Sequence, residues 1–131
     1  MKKAKIKTEI TKNVRKWAEI LCCNEIDLDV VFRKYTKKEI ANVSDGHFIP
    51  VAFADSNARY MQATIYFNVD NLKLVDDETI VHEILHIKLS ELTGYLYANE
   101  EKSKADHWRG YFEERFVSQM AKIITRLTKN I

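Results

Sequence analysis

The chain has 131 residues, the size of a single domain, and its 46% hydrophobic and 31% charged residues are ordinary for a folded globular protein. A formal net charge of +2 is too small to indicate a nucleic-acid partner. No apolar run approaches the roughly 18 residues that span a membrane, so we expect no membrane partner.

The N-terminus is basic, since residues 1–16 hold seven Lys and Arg against one Glu. We interpret this region as the solvated face of a helix, with contact to phosphates or an acidic partner as the alternative. A secretory signal would need an apolar run after the basic start, and polar residues follow instead, so we expect a cytoplasmic protein. Cys22 and Cys23 are adjacent, and we expect two reduced thiols.

The first half of the chain predicts one helix followed by strands. Residues 8–22 have apolar side chains at three- and four-residue spacing, which predicts an amphipathic helix with Thr8 or Thr11 as its cap. Apolar and polar residues then alternate in two predicted strands, 26–33 and 61–68, and a third predicted strand covers 48–54. Residues 36–43 are ambiguous between helix and strand. The polar stretches 44–47 and 55–59 predict a turn and a loop.

The second half predicts two helices. Asp76-Asp77-Glu78 suits the positive end of a helix dipole and predicts a helix over 77–92 that ends before Gly94. A polar connector over 94–105 leads to a last helix over 106–128, with Asp106 as its cap. We expect one apolar stripe of that helix to face the core, together with Tyr111. The stripe consists of Trp108, Phe112, Phe116, Met120, Ile123 and Leu127, and it is flanked by Val117 and Ile124. This order of elements predicts an α+β fold in one domain, residues 1–131.

The segment His82-Glu83-Ile84-Leu85-His86 is a candidate metal motif on the first of these two helices. The four-residue spacing places both imidazoles on one helix face, where they can reach one ion, and imidazole suits zinc. Glu83 can then accept a proton from a metal-bound water without being a ligand itself. The alternative is two exposed histidines beside an incidental glutamate. Half of the four histidines fall in this one motif, which favours a metal site.

The segment Thr79 to Ile87 resembles the extended signature of the zincin metallopeptidases, although Lys88 stands where that pattern expects an apolar residue. The residues that continue the metzincin signature are absent, so the resemblance implies the gluzincin type. Over roughly residues 60–125 the chain is similar to small phage-associated zincin-like metallopeptidases and, more distantly, to the ImmA/IrrE type. The implied fold has an N-terminal helix, a mixed sheet of about three to four strands, an active-site helix and a C-terminal glutamate helix.

The resemblance also implies a third metal ligand. In those proteins the ligand glutamate is followed by an apolar residue at +3, a small polar residue at +4 and an alanine at +7. Glu114 fits that frame and Glu113 does not. The apolar stripe argues mildly for Glu113, which lies inside it, whereas Glu114 lies at its edge. His107, or an acidic residue within 100–106, is a further candidate.

The function implied by the resemblance is that of a zinc-dependent metallopeptidase. One zinc ion would be held by His82, His86 and Glu114, and Glu83 would be the general base in the hydrolysis of an extended polypeptide. Strand 61–68 is the candidate edge strand that holds the substrate by strand addition, although an ordinary sheet strand fits its pattern equally well. The candidate oxyanion donors are Tyr60, Tyr95 and Tyr97, and His47 is interpreted as a turn residue.

Two other interpretations remain open. One is a zinc-binding protein of zincin fold that regulates or binds a partner with little turnover. The other is a basic interaction protein in which the histidines are incidental. A chain of this length has no second lobe to wall a deep cleft, so we also expect that activity involves a protein partner or a dimer.

Overall fold

The computed structural model describes residues 2–38, 51–57, 61–97 and 104–129, with the side chains of 91–97 and 104–110 left out. The described part is a mixed α+β fold, as the sequence predicts. It contains the helices α1 (Lys2–Ile20), α2 (Asp77–Tyr97) and α3 (Lys104–Lys129), the strands β1 (Asp27–Arg33), β2 (Ala52–Asn57) and β3 (Gln62–Asn68), and a 3-10 helix (Val69–Leu74).

The three described strands form one mixed sheet in the order β1-β3-β2. β1 runs parallel to β3, with Leu28 opposite Ala63, and β2 runs antiparallel to β3, with Ala54 opposite Ile65. β3 is therefore the central strand, and β2 pairs on only one side among the described residues. The prediction that strand 61–68 forms the edge of the sheet is wrong.

The core lies between one face of the sheet and the helices α1 and α2. Alternating residues of β3 supply its sheet side, since Ala63, Ile65 and Phe67 are all buried. The helix side consists of Ile10, Val14, Trp17 and Ala18 from α1 and Ile80, Val81, Ile84 and Ile87 from α2. α2 also contacts β2 and α3, so this one helix touches every layer of the fold.

Several predicted boundaries shift. α1 begins at Lys2, so Thr8 and Thr11 lie inside the helix, where their hydroxyls donate to the carbonyls four residues earlier rather than capping it. Asp55–Asn57 continue β2 instead of forming a loop. α2 runs past Gly94 to Tyr97, since tertiary contacts can override a helix-breaking residue. Residues 39–50, including the predicted turn and most of the ambiguous segment, lie outside the described residues.

α3 faces the core with a different side from the one predicted. Its buried residues are Val117, Ala121 and Thr125, whose modest size lets α3 approach α2 closely. Phe112, Phe116, Ile123 and Leu127 from the predicted stripe are exposed instead, and so is Tyr111. Met120 is half-buried, and the side chain of Trp108 lies outside the described residues. α3 begins at Lys104, so Asp106 lies inside the helix and does not precede it. No helix in the described part of the chain has the length and apolar character needed to cross a membrane.

Candidate metal centre

The start of α2 is fixed by contacts before and beside it. Asp76 precedes the helix, and its Oδ1 accepts hydrogen bonds from the backbone N–H and the hydroxyl of Thr79, both at 2.8 Å. The indole N–H of Trp17 donates to Asp77 Oδ1 at 3.0 Å, and Lys88 Nζ donates to the carbonyl of Cys22 at 3.2 Å. These contacts hold α2 against α1 along most of the motif, which fixes the direction of its outer face.

The two motif histidines lie on the face of α2 that is turned towards α3. Each has a side chain about one fifth exposed, with values of 22% for His82 and 20% for His86. Their Nε2 atoms approach to 3.2 Å, and the rings meet edge to face. Two imidazole nitrogens can approach this closely only if a proton or a cation lies between them, because both carry a lone pair when unprotonated.

Glu114 of α3 completes a three-residue cluster with the histidines. Its Oε2 lies 3.4 Å from His82 Nε2, and its Oε1 lies 2.5 Å from His86 Nε2. One donor atom from each residue can be chosen so that all three lie within 4.8 Å of one another. The side chain of Glu114 is 60% exposed, so the cluster is open to solvent on the glutamate side.

The donor set fits a zinc ion. Zinc–nitrogen bonds of about 2.0–2.1 Å at tetrahedral angles place neighbouring donor atoms about 3.3 Å apart. The separations of 3.2 Å between the two Nε2 atoms and 3.4 Å between His82 Nε2 and Glu114 Oε2 are close to that value. The 2.5 Å from His86 Nε2 to Glu114 Oε1 is instead a charge-assisted hydrogen bond of the metal-free site, so Oε2 is the glutamate oxygen that fits. Two imidazoles and one carboxylate are the protein ligands of many catalytic zinc sites, and the open side leaves room for a fourth ligand.

Glu113 also contacts the cluster, but at a different atom. Its Oε1 lies 2.9 Å from Nδ1 of His86, the ring nitrogen that points away from His82. A carboxylate in this position accepts the Nδ1 proton, which fixes the ring orientation and leaves Nε2 free to bind a cation. Glu113 is therefore placed to orient a ligand, and Glu114 is placed to be one.

The geometry of α3 explains why two adjacent glutamates reach one site. Successive residues of a helix point about 100° apart, so two neighbours ordinarily cannot face the same target. Here the buried stripe of Val117 and Ala121 runs between the directions of Glu113 and Glu114. The two carboxylates flank the line of contact with α2 from opposite sides. The 100° separation by itself indicates that only one of the two can face the histidines well, and that expectation is wrong.

The charges of the cluster are strongly coupled when no metal is bound. Burial alone would lower the pKa of His86, but hydrogen bonds with Glu114 and Glu113 raise that pKa to about 9. Hydrogen bonds with His82 and His86 hold the pKa of Glu114 well below its usual range. In the metal-free site a protonated His86 therefore lies between two carboxylates. A divalent cation that bound there would displace the proton of His86.

Glu83 differs from the other acids because it is buried, with 7% of its surface exposed. Desolvation raises the pKa of Glu83 to about 7, although the nearby charges of His82 and His86 act in the opposite direction. The backbone N–H of Ala54 in β2 hydrogen-bonds to its carboxylate. Glu83 thus lies between α2 and β2 with a proton affinity suited to exchange near neutral pH.

β2 was not expected to be part of the site. The backbone groups of successive residues in this strand point alternately towards β3 and away from it. The carbonyl of Val51 points towards β3 and accepts a hydrogen bond from the N–H of Asn68. The N–H of Ala54, three positions on, points away from β3 and donates to Glu83. The polar residues at 55–57 predicted a loop, so the sequence did not indicate that β2 continues through them. His47, Tyr60 and the side chains of Tyr95, Tyr97 and His107 lie outside the described residues, as do the acidic residues of 100–106 except for the backbone of Asp106.

Beyond Ala54, an open recess follows the end of β2. It has a volume of about 470 Å³ and lies between the strands and α2 at Ser90, one helical turn after His86. Most of the residues that line the recess are polar. Its lining consists of Asp55, Ser56, Asn57, Gln62, Ala63, Thr64 and Ser90.

Comparison of the chain with protein-family models, curated proteins and solved structures gives no match.

Proposed function

We propose that the protein is a zinc-dependent metallopeptidase of the zincin type, of the gluzincin branch. One observation carries this proposal: His82 and His86 from one helix and Glu114 from the next bring three zinc-type donor atoms within 4.8 Å of one another. The buried Glu83 lies next to His82 on the same helix turn. This combination supports hydrolysis, because a purely structural zinc site has four protein ligands and needs no base.

In this proposal His82, His86 and Glu114 would hold zinc, which would supply the Lewis acidity that activates a water molecule and a peptide carbonyl. Glu83 takes the proton of the attacking water and then donates it to the leaving amine. Desolvation at this buried position favours the protonated form of Glu83, the form that donates to the leaving amine. Glu113 holds the His86 ring in its ligand orientation through Nδ1.

The substrate class follows from β2. Among the described residues this strand pairs only with β3, and it lies alongside the helix that carries the motif. The outward backbone groups of an edge strand can hold an extended polypeptide by strand addition. A peptide aligned there would pass the Ala54–Glu83 contact and reach the recess at Ser90. An extended polypeptide is therefore the proposed substrate.

A second candidate function is a zinc-binding protein of the same fold that acts by binding a partner with little turnover. The apolar side chains exposed along α3, notably Phe116 and Leu127, favour it, because such residues commonly mark contact surfaces. The two functions differ in one measurable respect, which is hydrolysis that depends on Glu83.

The experiment is peptide-bond cleavage by the zinc-loaded protein against an unstructured polypeptide mixture, with products identified by mass spectrometry. Wild type should produce cleavages that stop on addition of a zinc chelator and resume when zinc is restored. Glu83→Gln should bind zinc and produce none of them. Cleavage that persists in Glu83→Gln would sink the peptidase proposal, and the absence of cleavage in both proteins favours the second candidate.

A further inference from the structure

α3 exposes a stripe of large apolar side chains on the side opposite its core contacts. Phe112, Phe116, Ile123 and Leu127 are 57%, 49%, 49% and 62% exposed, respectively. Their spacing of four, seven and four residues places all four within an arc of about 60° on the helix surface. Val117 and Ala121, which pack against the rest of the fold, lie on the other side of the helix.

The exposed stripe extends over about four helical turns. From Phe112 to Leu127 it extends about 22 Å along the helix at 1.5 Å per residue. Four large side chains, each roughly half exposed, present on the order of 400 Å² of apolar surface. Contiguous apolar patches of about that size on soluble proteins commonly mark interaction sites, whereas single exposed residues do not.

A basic row runs along one flank of the stripe. It consists of Arg115, Lys122, Arg126 and Lys129, all of them exposed. They lie within about 60° of one another, at positions just beside the apolar arc. The sequence has no Asp or Glu from 115 to 129, so this part of the helix surface carries only positive charge. We call the apolar stripe and the basic row together the outer face of α3.

The charge pattern selects the kind of partner. If two copies paired through antiparallel α3 helices, the basic row of one copy would face the basic row of the other. Arg115 and Lys122 would then lie against like charges. In a parallel pair, the basic row would lie over the half-buried and uncharged Met120 and Ile124 and over Glu113, whose half-buried carboxylate already contacts His86. A second copy therefore offers the basic row no carboxylate that is not already engaged. The basic row lies on only one side of the apolar stripe. This arrangement fits a partner helix that carries its carboxylates along one side of its own apolar seam.

We propose that the outer face of α3 binds an amphipathic helical segment of another polypeptide, with apolar residues at three- and four-residue spacing and carboxylates along one flank. The apolar stripe would pack against the apolar seam of that segment, and the basic row would pair with its carboxylates. Glu114 and Glu113 are not part of the outer face, and their carboxylates contact the histidines of α2, so this interaction does not depend on zinc or on hydrolysis.

The test uses two labelled synthetic peptides of about five helical turns with an identical leucine seam. One carries Glu along the flank and the other carries Lys at the same positions, and binding is measured by fluorescence anisotropy. The glutamate peptide should bind at least about tenfold more tightly than the lysine peptide and should weaken as salt is added. Phe116→Ser and Ile123→Ser should each weaken binding about tenfold, and Lys122→Glu should weaken the glutamate peptide alone.

Leu74→Ser is the matched control, since Leu74 is 63% exposed on the 3-10 helix and is not part of the outer face. It should bind the glutamate peptide normally, and so should His82→Ala, which removes a zinc ligand. Equal binding of both peptides, or no binding of either, overturns the proposal. A dimer that forms with rising concentration in sedimentation and is lost in Phe116→Ser would also overturn it. So would binding to phosphatidylserine vesicles that Phe116→Ser abolishes, if neither peptide binds.

Discussion

Nδ1 of His86 lies 2.9 Å from Oε1 of Glu113, so a carboxylate engages the ring nitrogen of this histidine that does not contact His82. The other nitrogen, Nε2, points to His82 and Glu114. Adjacent glutamates on one helix thus have two different relations to one histidine. The first prediction separates their roles.

Glu114→Ala should lower zinc affinity by at least about 100-fold, because it removes one of three protein ligands. Glu113→Ala should lower it by only about tenfold, since Glu113 orients His86 without touching the metal. Both variants would be titrated with zinc against a competing chelator at fixed pH, next to His86→Ala as the full-loss reference. If Glu113→Ala matches His86→Ala while Glu114→Ala stays close to wild type, Glu113 is the ligand.

Glu83→Gln should retain zinc at wild-type affinity and lose hydrolysis by at least about 100-fold, because Glu83 is proposed as a base and not as a ligand. Gln keeps the size of the side chain, so the buried position should remain filled. Zinc content and cleavage rate are measured on the same preparation. Loss of zinc in this variant would contradict the assigned role.

Stability of the zinc-free protein should fall as the pH rises from about 5 to about 9. The pKa of Glu83 is raised from 4.5 to about 7, so the folded state keeps a proton that the unfolded state releases, and stability falls between those values. The pKa of His86 is raised from 6.5 to about 9, so its contribution is full below 6.5 and is lost as the pH passes about 9.

Urea midpoints measured in chelator across that pH range test this expectation. Glu83→Gln should remove most of the slope below about pH 7 and leave the slope above it, which comes from His86. His86→Asn should do the reverse. A zinc-free wild type whose stability does not change from about pH 5 to about pH 9 would show that the two groups are not perturbed by the fold.

A proline in β2 tests strand addition. Ala54 directs its N–H away from β3, and Ser56, two residues on, has the same orientation in the ladder. Ser56→Pro should therefore spare the pairing with β3 while it removes an outward donor, so peptide cleavage should fall several-fold with a small change in melting temperature. Thr64→Pro, in the central strand, should unfold the protein. Equal cleavage by Ser56→Pro and wild type would contradict the substrate alignment.

The sequence predicted the centre of the fold better than its margins. Period-two alternation located β1 and β3 to within a residue, because one face of each strand must be buried. The cluster of acids at 76–78 marked the start of α2 correctly, and Asp76 is its cap. The four-residue spacing of His82 and His86 correctly predicted that their rings lie on one helix face, because that relation is local to one helix.

The contact between α3 and α2 could not be predicted in the same way. α3 has two apolar faces. The larger side chains of one face, such as Phe112 and Phe116, favoured its burial, but this face is exposed. The smaller Val117 and Ala121 are buried because close helix packing favours short side chains. The directions of Glu113 and Glu114 relative to α2 depend on which stripe of α3 is buried, so the contact of both carboxylates with His86 could not be predicted from α3 alone.

Zinc content per chain is the most direct test of the central claim. The protein is purified without chelators, supplied with zinc, passed over a desalting column and analysed by mass spectrometry for metal and by amino-acid analysis for protein. We predict about one zinc per chain in wild type and close to none in His82→Ala and His86→Ala, with Leu74→Ser equal to wild type. A wild-type protein with no more zinc than the histidine variants would contradict the account.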